Sequence, residues 1–366
     1  MTRDIERHRF INGEPRTALI VKLSSIGDVV HALPVATALR RRYPTIRISW
    51  AVEDWVAPLV IGHPAVERVV VFPRMRWSAV RSGWLRSFMR ATRELQNESY
   101  DVSIDLQGLL KSAVVALLSR ARLRIGAAEP REGAGLVSAA VSDRLARVHV
   151  VEDYLRCATF LGAAAQPIAF DLPVHIEAQT SIERILHELQ IPAHRPLIVI
   201  NPSSSVTWRT WPIEPWAQVA RELTEAGTVV LIGGREQVAR HAEVARRADR
   251  PIHDLTGRTT LAELVALLDR CTLHVAPDTG SAHIAAALGR PVVSLYGPTA
   301  PWRKGPNGCD ELVVHHEAAC GVGCPRWCVR GRQCLRKVAP EELIARAATA
   351  LVVASNTERS KSSSCS

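Results

Sequence analysis

The chain has 366 residues, enough for two domains of ordinary size, and its 47% hydrophobic content is typical of a globular protein. Its net charge is +10, with 41 arginines against five lysines. Guanidinium groups suit the binding of phosphates and carboxylates, although an arginine-biased genome produces the same composition. No apolar run approaches the roughly 20 residues of a membrane-spanning helix. The polar N-terminus lacks a secretory signal, so we expect a cytoplasmic protein.

Short apolar runs alternate with helical patterns in the first half of the chain. Strands are predicted at Ala18–Val21, Ile46–Val52, Val69–Phe72 and Val102–Asp105. Helical spacing of apolar residues is found at Val29–Arg42, Trp55–Ile61 and Trp77–Gln96. Strands that alternate with helices predict a parallel sheet with right-handed crossovers.

The second half repeats this alternation. Strands are predicted at Leu197–Asn201, Val229–Ile232, Leu273–Ala276 and Val292–Tyr296, and helices at Ile213–Ala226, Gln237–Ala248, Leu261–Arg270 and Pro340–Val353. We therefore predict two Rossmann-like domains, residues 18–170 and 171–355, with a polar extension at 1–17 and a disordered serine-rich tail at 356–366. A ligand of such a protein is expected at the carboxyl ends of the strands, between the domains.

Each half contains a strand that runs into a helix through a turn of small and polar residues. In the first half, Ser24–Asp28 follows the strand, and in the second half Pro277–Gly280 does. A helix start leaves backbone N–H groups unpaired at the positive end of the helix dipole and can bind a phosphate. An N-cap without a ligand produces the same pattern. Asp28 in such a turn either caps the helix or takes a proton from a substrate hydroxyl.

Three further segments carry polar or charged residues. Ser203–Ser205 and Arg209 follow a predicted strand and could bind a phosphate, although turns and core packing also use such residues. Glu236 follows Gly233-Gly234 and could hold a sugar hydroxyl or simply begin a helix. The segment Arg74–Arg90 is basic and aromatic, which suits either an anionic membrane surface or a solvated helix face.

Four of the eight cysteines cluster near the C-terminus. In a cytosolic chain such a cluster favours a metal site or a reduced loop over disulfides. Their C-x3-C-x3-C-x5-C spacing is not a standard zinc-finger pattern, so a structural zinc stays one of two interpretations. The cluster consists of Cys320, Cys324, Cys328 and Cys334.

Several motifs in order resemble the lipopolysaccharide heptosyltransferases of glycosyltransferase family 9, and heptosyltransferase I within that family. The resemblance spans about Ala18 to Val353. The motifs are Leu19–Lys22 with Ser24–His31, Asp105–Gly108, Leu255–Gly257, Asp278–His283 and Tyr296–Thr299. The resemblance implies a GT-B fold, that is, an α/β protein of two facing Rossmann-like domains with parallel sheets and an interdomain cleft. It also implies an inverting transfer that requires no cofactor.

The resemblance also implies roles for individual residues. Asp28 is expected to be the catalytic base, and Arg209 stands where the heptosyltransferase I pattern usually has lysine. Residues expected to bind the ADP-heptose donor are Ser25, Ser204, Ser205, Arg209, Glu236, Asp278, Thr279, Gly280 and His283. Residues expected to bind the Kdo-lipid A acceptor are Lys22, Gln107, Lys111, Arg76, Arg81 and Arg120.

The expected location is the cytoplasmic face of the inner membrane, as a peripheral protein with no nucleic-acid partner. Two alternatives remain open from the sequence. One is a family 9 transferase with another nucleotide-sugar donor or another acceptor. The other is a non-catalytic basic protein that binds polyanions in a salt-sensitive way.

Overall fold

The computed structural model describes residues 14–74, 83–127, 130–141, 148–204, 209–297, 299–316 and 333–363. The chain divides into two compact units, Met1–Pro173 and Val174–Ser366. Within the described ranges, none of the helices combines the length and the apolar character needed to span a bilayer.

The first unit is built on a six-stranded parallel sheet with the order β3-β2-β1-β4-β5-β6. Its strands are β1 (Thr17–Val21), β2 (Arg47–Glu53), β3 (Arg68–Phe72), β4 (Val102–Asp105), β5 (Leu123–Gly126) and β6 (Ala139–Ala140). Its helices are α1 (Ile26–Arg42), α2 (Trp84–Gln96), α3 (Leu110–Leu118) and α4 (Val150–Phe160). Residues 18–21 are wholly buried, as expected for a strand covered by helices on both faces of its sheet.

The second unit repeats the design with the sheet order β12-β11-β10-β7-β8-β9, also parallel. Its strands are β7 (Leu197–Ile200), β8 (Thr228–Leu231), β9 (His253–Asp254), β10 (Leu273–Pro277), β11 (Val292–Tyr296) and β12 (Val313–His315). Its helices are α5 (Ile176–Glu188), α6 (Ile213–Ala226), α7 (Val238–Ala248), α8 (Leu261–Arg270), α9 (Gly280–Ala287), α10 (Pro301–Lys304), α11 (Gln333–Arg336) and α12 (Pro340–Ser363).

Both sheets have the same topology. The first strand of each unit lies beside its fourth, β1 beside β4 and β7 beside β10, and the strand order reverses there. Loops leaving two such strands diverge at the carboxyl edge and open a crevice in which ligands of this fold bind. The predicted class of two Rossmann-like units with parallel sheets is confirmed.

Several observed elements, including β5, β6, α4 and α5, were not predicted from the sequence, and three further differences have a clear physical reason. The segment predicted as a helix at Trp55–Ile61 is a short 3-10 helix, Asp54–Leu59, which contains Pro58. The last helix continues to Ser363, through the tail expected to be disordered, because no proline or glycine ends it there. Helix α3 was not predicted, since it exposes Leu110, Val114 and Leu117 and so lacks an amphipathic pattern.

Candidate active site

Asp28 lies at the carboxyl edge of the first sheet, where β1 leads into α1. It is the third residue of α1, whose N-cap is Ser25, and its side chain is half-buried. Asp28 Oδ2 accepts a hydrogen bond from Ser25 Oγ at 3.0 Å. The positive end of the helix dipole favours the charged carboxylate. The position therefore offers an ionised oxygen that a substrate hydroxyl can reach. Ser25, expected to bind the donor, lies beside the expected base, and its role in donor binding stays a prediction.

The loop after β4 holds the loop after β1 in place. Asp105 is buried, and its carboxylate accepts hydrogen bonds from the amides of Gln107 and Gly108 and from the Ser112 hydroxyl. Burial raises the pKa of Asp105, while these hydrogen bonds oppose the rise. Gln107 Oε1 accepts the N–H groups of Leu23 and Ser24, both at 3.1 Å. The structure thus makes Gln107, expected to bind acceptor, a support of the Asp28 loop.

An ion pair between Glu53 and Lys111 lies at the same carboxyl edge of the first sheet. Glu53, the last residue of β2, has 2% relative exposure and lies 2.7 Å from Lys111 Nζ. Trp55 Nε1 donates to its other carboxylate oxygen, and Lys111 also donates to Ser24 Oγ at 2.9 Å. Lys111 therefore lies next to the Asp28 loop. This position is compatible with the expectation that Lys111 binds the acceptor. Glu53 was not among the residues predicted for the site, although a carboxylate that directly ends a buried strand is a usable signal.

Two of the expected acceptor residues lie elsewhere. Lys22 is 2% exposed, and its ammonium donates to Leu106 O and Tyr154 Oη, both at 2.7 Å. It therefore ties β1 to the β4 loop and α4 from inside the unit. Arg120 follows the C-terminus of α3, which returns the chain to the amino edge of the sheet, so it lies at the edge opposite Asp28. Arg76 and Arg81 fall outside the described residues.

In the second unit, the loops after β7 and β10 meet at Asp278. Its carboxylate is 2.8 Å from Arg209 Nη1, and its carbonyl oxygen accepts the Ser204 hydroxyl at 3.0 Å. Thr279 is the N-cap of α9, and Thr279 and Gly280 are both partly exposed. The structure therefore brings Ser204, Arg209 and the start of α9 together, which places a guanidinium and a helix N-terminus at one point.

Two buried histidines support these loops. His274 Nε2 contacts Ser281 Oγ at 3.0 Å, and Asn201 Nδ2 donates to the same hydroxyl. His241 links Ser203 Oγ and Thr256 Oγ1, each at 2.8 Å. Burial lowers the pKa of each histidine to about 4, so both are neutral at pH 7. A neutral ring can act as a donor at one nitrogen and an acceptor at the other.

His241 also explains a glycine at the end of β8. A Cβ added to Gly233 would lie 2.4 Å from Cε1 of the buried His241 ring, too close for any other residue. The loops that follow β7, β8 and β9 therefore all pack around one histidine. Neither His241 nor His274 was predicted as a site residue, because each contacts at least one partner on a distant segment of the chain, Ser203 and Val199 respectively.

The remaining expected donor residues differ in accessibility. Glu236 is exposed, in the 3-10 helix Arg235–Gln237 that follows β8. His283 is 6% exposed on α9, inside the unit. Ser205 falls outside the described residues.

The cysteine cluster has one described member. Cys334 is 4% exposed and belongs to the apolar core of the second unit. Cys320, Cys324 and Cys328 fall outside the described residues. In the described part of the chain, no group of three or more His, Cys, Asp or Glu side chains is arranged to hold a metal ion. The structure adds no support to the zinc interpretation.

Comparisons with known proteins agree with this architecture. The sequence model of glycosyltransferase family 9 (heptosyltransferase) matches residues 88–324. Lipopolysaccharide heptosyltransferase 1 of Pseudomonas aeruginosa is 30% identical over 330 residues, covering 85% of this chain and 86% of that protein. The lipopolysaccharide core heptosyltransferase OpsX of Haemophilus influenzae is 26% identical, covering 83% of this chain and 85% of that protein.

A solved structure agrees as well. The heptosyltransferase WaaC of E. coli with ADP superposes with a TM-score of 0.72 at 25% identity, covering 91% of this chain and 99% of that chain. The match of the family model extends over more than half of the chain, and the fold is that of the relatives. The chain therefore belongs to glycosyltransferase family 9, the heptosyltransferase family, and is a glycosyltransferase.

Proposed function

We propose that the enzyme transfers a heptose from ADP-heptose to a Kdo residue of the lipid A inner core of lipopolysaccharide. Two relatives named as lipopolysaccharide heptosyltransferases support the acceptor class. The structures of WaaC with ADP and with ADP-2-deoxy-2-fluoro heptose support the donor class. Within this chain, the observation that carries the proposal is Asp28, a half-buried carboxylate at the start of a helix, which follows a loop that Lys111 contacts through Ser24.

Asp28 acts as the base in the first unit. It accepts the proton of the acceptor hydroxyl while that oxygen forms a bond to the anomeric carbon of the heptose. The bond from this carbon to the ADP oxygen breaks in the same displacement, so the anomeric configuration inverts. Ser25 holds the carboxylate in place through its 3.0 Å hydrogen bond. A positioned base of this kind contributes about 10²- to 10⁴-fold in rate.

The second unit binds the donor and stabilises the departing diphosphate. The start of α9 supplies backbone N–H groups and a positive dipole, and Arg209 supplies a full positive charge. Because Asp278 already holds one side of the guanidinium, these groups are oriented before the charge on the leaving group develops. In this proposal, these fixed positive groups stabilise the leaving diphosphate, so the reaction requires no metal ion. Ser204 and Glu236 contribute hydroxyl and carboxylate contacts to the phosphates and sugar.

The acceptor implies where the enzyme acts. A Kdo-bearing lipid A is anchored in the inner membrane, so we place the enzyme as a peripheral protein on the cytoplasmic face. Lys111 lies beside the Asp28 loop and suits the carboxylate and phosphate groups of such an acceptor. Nucleic acid is not a partner in this proposal.

A transfer assay with ADP-heptose and Kdo-lipid A, followed by mass spectrometry, tests the function. The expected product is heavier by one heptose. If no product forms, a panel of nucleotide sugars in a binding assay examines the second candidate, a transferase with another donor or acceptor. That candidate has one specific observation in its favour, since Arg209 replaces the usual lysine and presents a planar, forked cation to the donor. Tighter binding of a donor other than ADP-heptose would replace the first proposal with the second.

A further inference from the structure

Helices α2 and α3 of the first unit expose large apolar side chains. On α2, Leu85 and Met89 are 60% and 44% exposed, and on α3, Leu110, Val114 and Leu117 are 50%, 40% and 55% exposed. Residues three or four apart lie on one face of a helix. Each helix therefore carries an apolar row that points away from the sheet. We call these five residues the α2–α3 surface.

The two rows belong to neighbouring helices. Helix α2 connects β3 to β4 and α3 connects β4 to β5, and Gln96 Nε2 at the end of α2 donates to Leu118 O at the end of α3. Ala91 of α2 and Val115 of α3 pack into the same core cluster. Both helices thus cover one face of the sheet with their buried sides and expose their apolar rows next to each other.

Arginines flank this apolar surface. Arg86, Arg90 and Arg93 are exposed on α2, and none of them forms an ion pair within the described residues. Apolar side chains that enter the boundary between headgroups and acyl chains, with guanidinium groups at the lipid phosphates, are the pattern of a helix that lies on an anionic bilayer. A symmetric contact between two copies would bring these arginines close to one another, which is unfavourable.

The surface starts beside the Asp28 site. Leu110 and Lys111 are consecutive at the start of α3, and Leu110 is half exposed while Lys111 donates to Ser24 Oγ. We propose that the α2–α3 surface docks the enzyme on an anionic lipid bilayer and so holds the Asp28 site at the level of the headgroups. The biological purpose of this docking rests on the proposed lipid acceptor, but bilayer binding itself does not require that acceptor.

Flotation of the full chain with vesicles tests the docking. The vesicles consist of phosphatidylcholine with or without phosphatidylglycerol, and no substrate is added. The wild-type enzyme is expected to float with the anionic vesicles and to be released as salt is raised. The double variant Leu85→Gln, Leu117→Gln is expected to bind about tenfold more weakly, because two apolar side chains no longer enter the bilayer. The control, Ile176→Gln, removes a 74% exposed apolar side chain from α5 and is expected to bind like wild type.

A second pair of variants tests the contribution of charge. Arg86→Gln with Arg90→Gln is expected to weaken binding to anionic vesicles by about 30-fold and to change binding to neutral vesicles little, since each basic residue contributes about fivefold in affinity near such a surface. Flotation of the leucine double variant at the wild-type level would overturn the proposal. So would a wild-type dimer in sedimentation that dissociates in that variant, because the surface would then bind a second copy.

The result is separable from the transfer reaction. With a soluble, deacylated Kdo acceptor, the leucine double variant is expected to keep the wild-type rate, because that acceptor is not held in a bilayer. On vesicle-borne acceptor it is expected to be slower by about the same factor as its loss of vesicle binding. If the wild-type enzyme transferred heptose to neither acceptor, the proposed function would be contradicted. The docking proposal would still be tested by the binding of the enzyme to vesicles.

Discussion

Arg209 and Asp278 form an ion pair with 2.8 Å between Nη1 and Oδ2, where the loops after β7 and β10 meet. The Asp278 side chain is 8% exposed and that of Arg209 is 26% exposed, so the carboxylate lies inside and the guanidinium extends outward. Because a guanidinium has five N–H donors, one side can hold Asp278 while the others remain for a diphosphate. In the proposed function, this pair would connect the packed interior of the second unit with the binding of the donor diphosphate.

Replacing Arg209 tests this link. Arg209→Met leaves Asp278 without the ion pair and removes the cation expected at the diphosphate, so the donor Kd should rise more than about tenfold. Arg209→Lys keeps the charge but loses the fork and should raise the Kd by only about two- to fivefold. Calorimetric titration with ADP measures both values. Equal ADP affinity of the wild-type and methionine variants would remove Arg209 from the donor site.

Asp28 is expected to affect the rate of transfer and not donor binding. Asp28→Asn keeps the size of the side chain but cannot take a proton, so kcat should fall by about 10²- to 10⁴-fold. ADP should bind within about twofold of wild type, because the base contributes nothing to that contact. The loss of a charge at the helix start should lower the unfolding free energy by only about 0.3–1 kcal/mol. A variant that retains wild-type kcat would show that the base is another group.

Lys111 and Arg120 provide a matched pair for acceptor binding. Both are cations near an end of α3, but Lys111 contacts Ser24 at the carboxyl edge of the sheet and Arg120 lies at the amino edge. Lys111→Met should raise the acceptor KM by about tenfold, since a charge-assisted contact is lost. Arg120→Met should leave this KM unchanged. Steady-state kinetics with varied acceptor concentration measures both KM values. A higher acceptor KM in Arg120→Met but not in Lys111→Met would contradict the assignment of Lys111 to acceptor binding.

Protonation of the buried histidines should make the protein less stable in mild acid. Burial lowers the pKa of His241 and of His274 to about 4, whereas the ordinary histidine pKa is 6.5. Between these two values the unfolded chain binds protons that the folded chain does not, so the unfolding free energy falls as the pH decreases from about 6.5 to about 4. Each histidine contributes at most about 1.4 kcal/mol per pH unit.

Urea unfolding at pH 7 and pH 5 measures this dependence. His241→Gln removes one of the titrating groups, so the difference between the two pH values should become smaller. The control His194→Gln replaces an exposed histidine before β7 and should leave the difference unchanged. The same pH dependence in wild type and His241→Gln would show that His241 is not responsible.

The two junctions that carry Asp28 and Asp278 could be located from the sequence because their signals are local. A run of β-branched and aliphatic residues must be buried, and a turn of small polar residues before an alanine-rich run marks a helix start. The same local patterns predicted β1, β4, β7 and β10, whose observed ends differ from the prediction by no more than one residue. The alternation of strands and helices along the chain then predicted two parallel sheets.

What the sequence determined by itself was thus the class of the fold and the two turns at the strand ends. Only the tertiary structure decided what each polar side chain does there, because a hydrogen bond depends on which strands lie side by side. Strand order places Gln107 against the Ser24 amide and buries Lys22 beneath Tyr154. The same order sends Arg120 to the far edge of the sheet. The charge of a residue and its spacing in the sequence do not by themselves show at which edge of the sheet that residue lies.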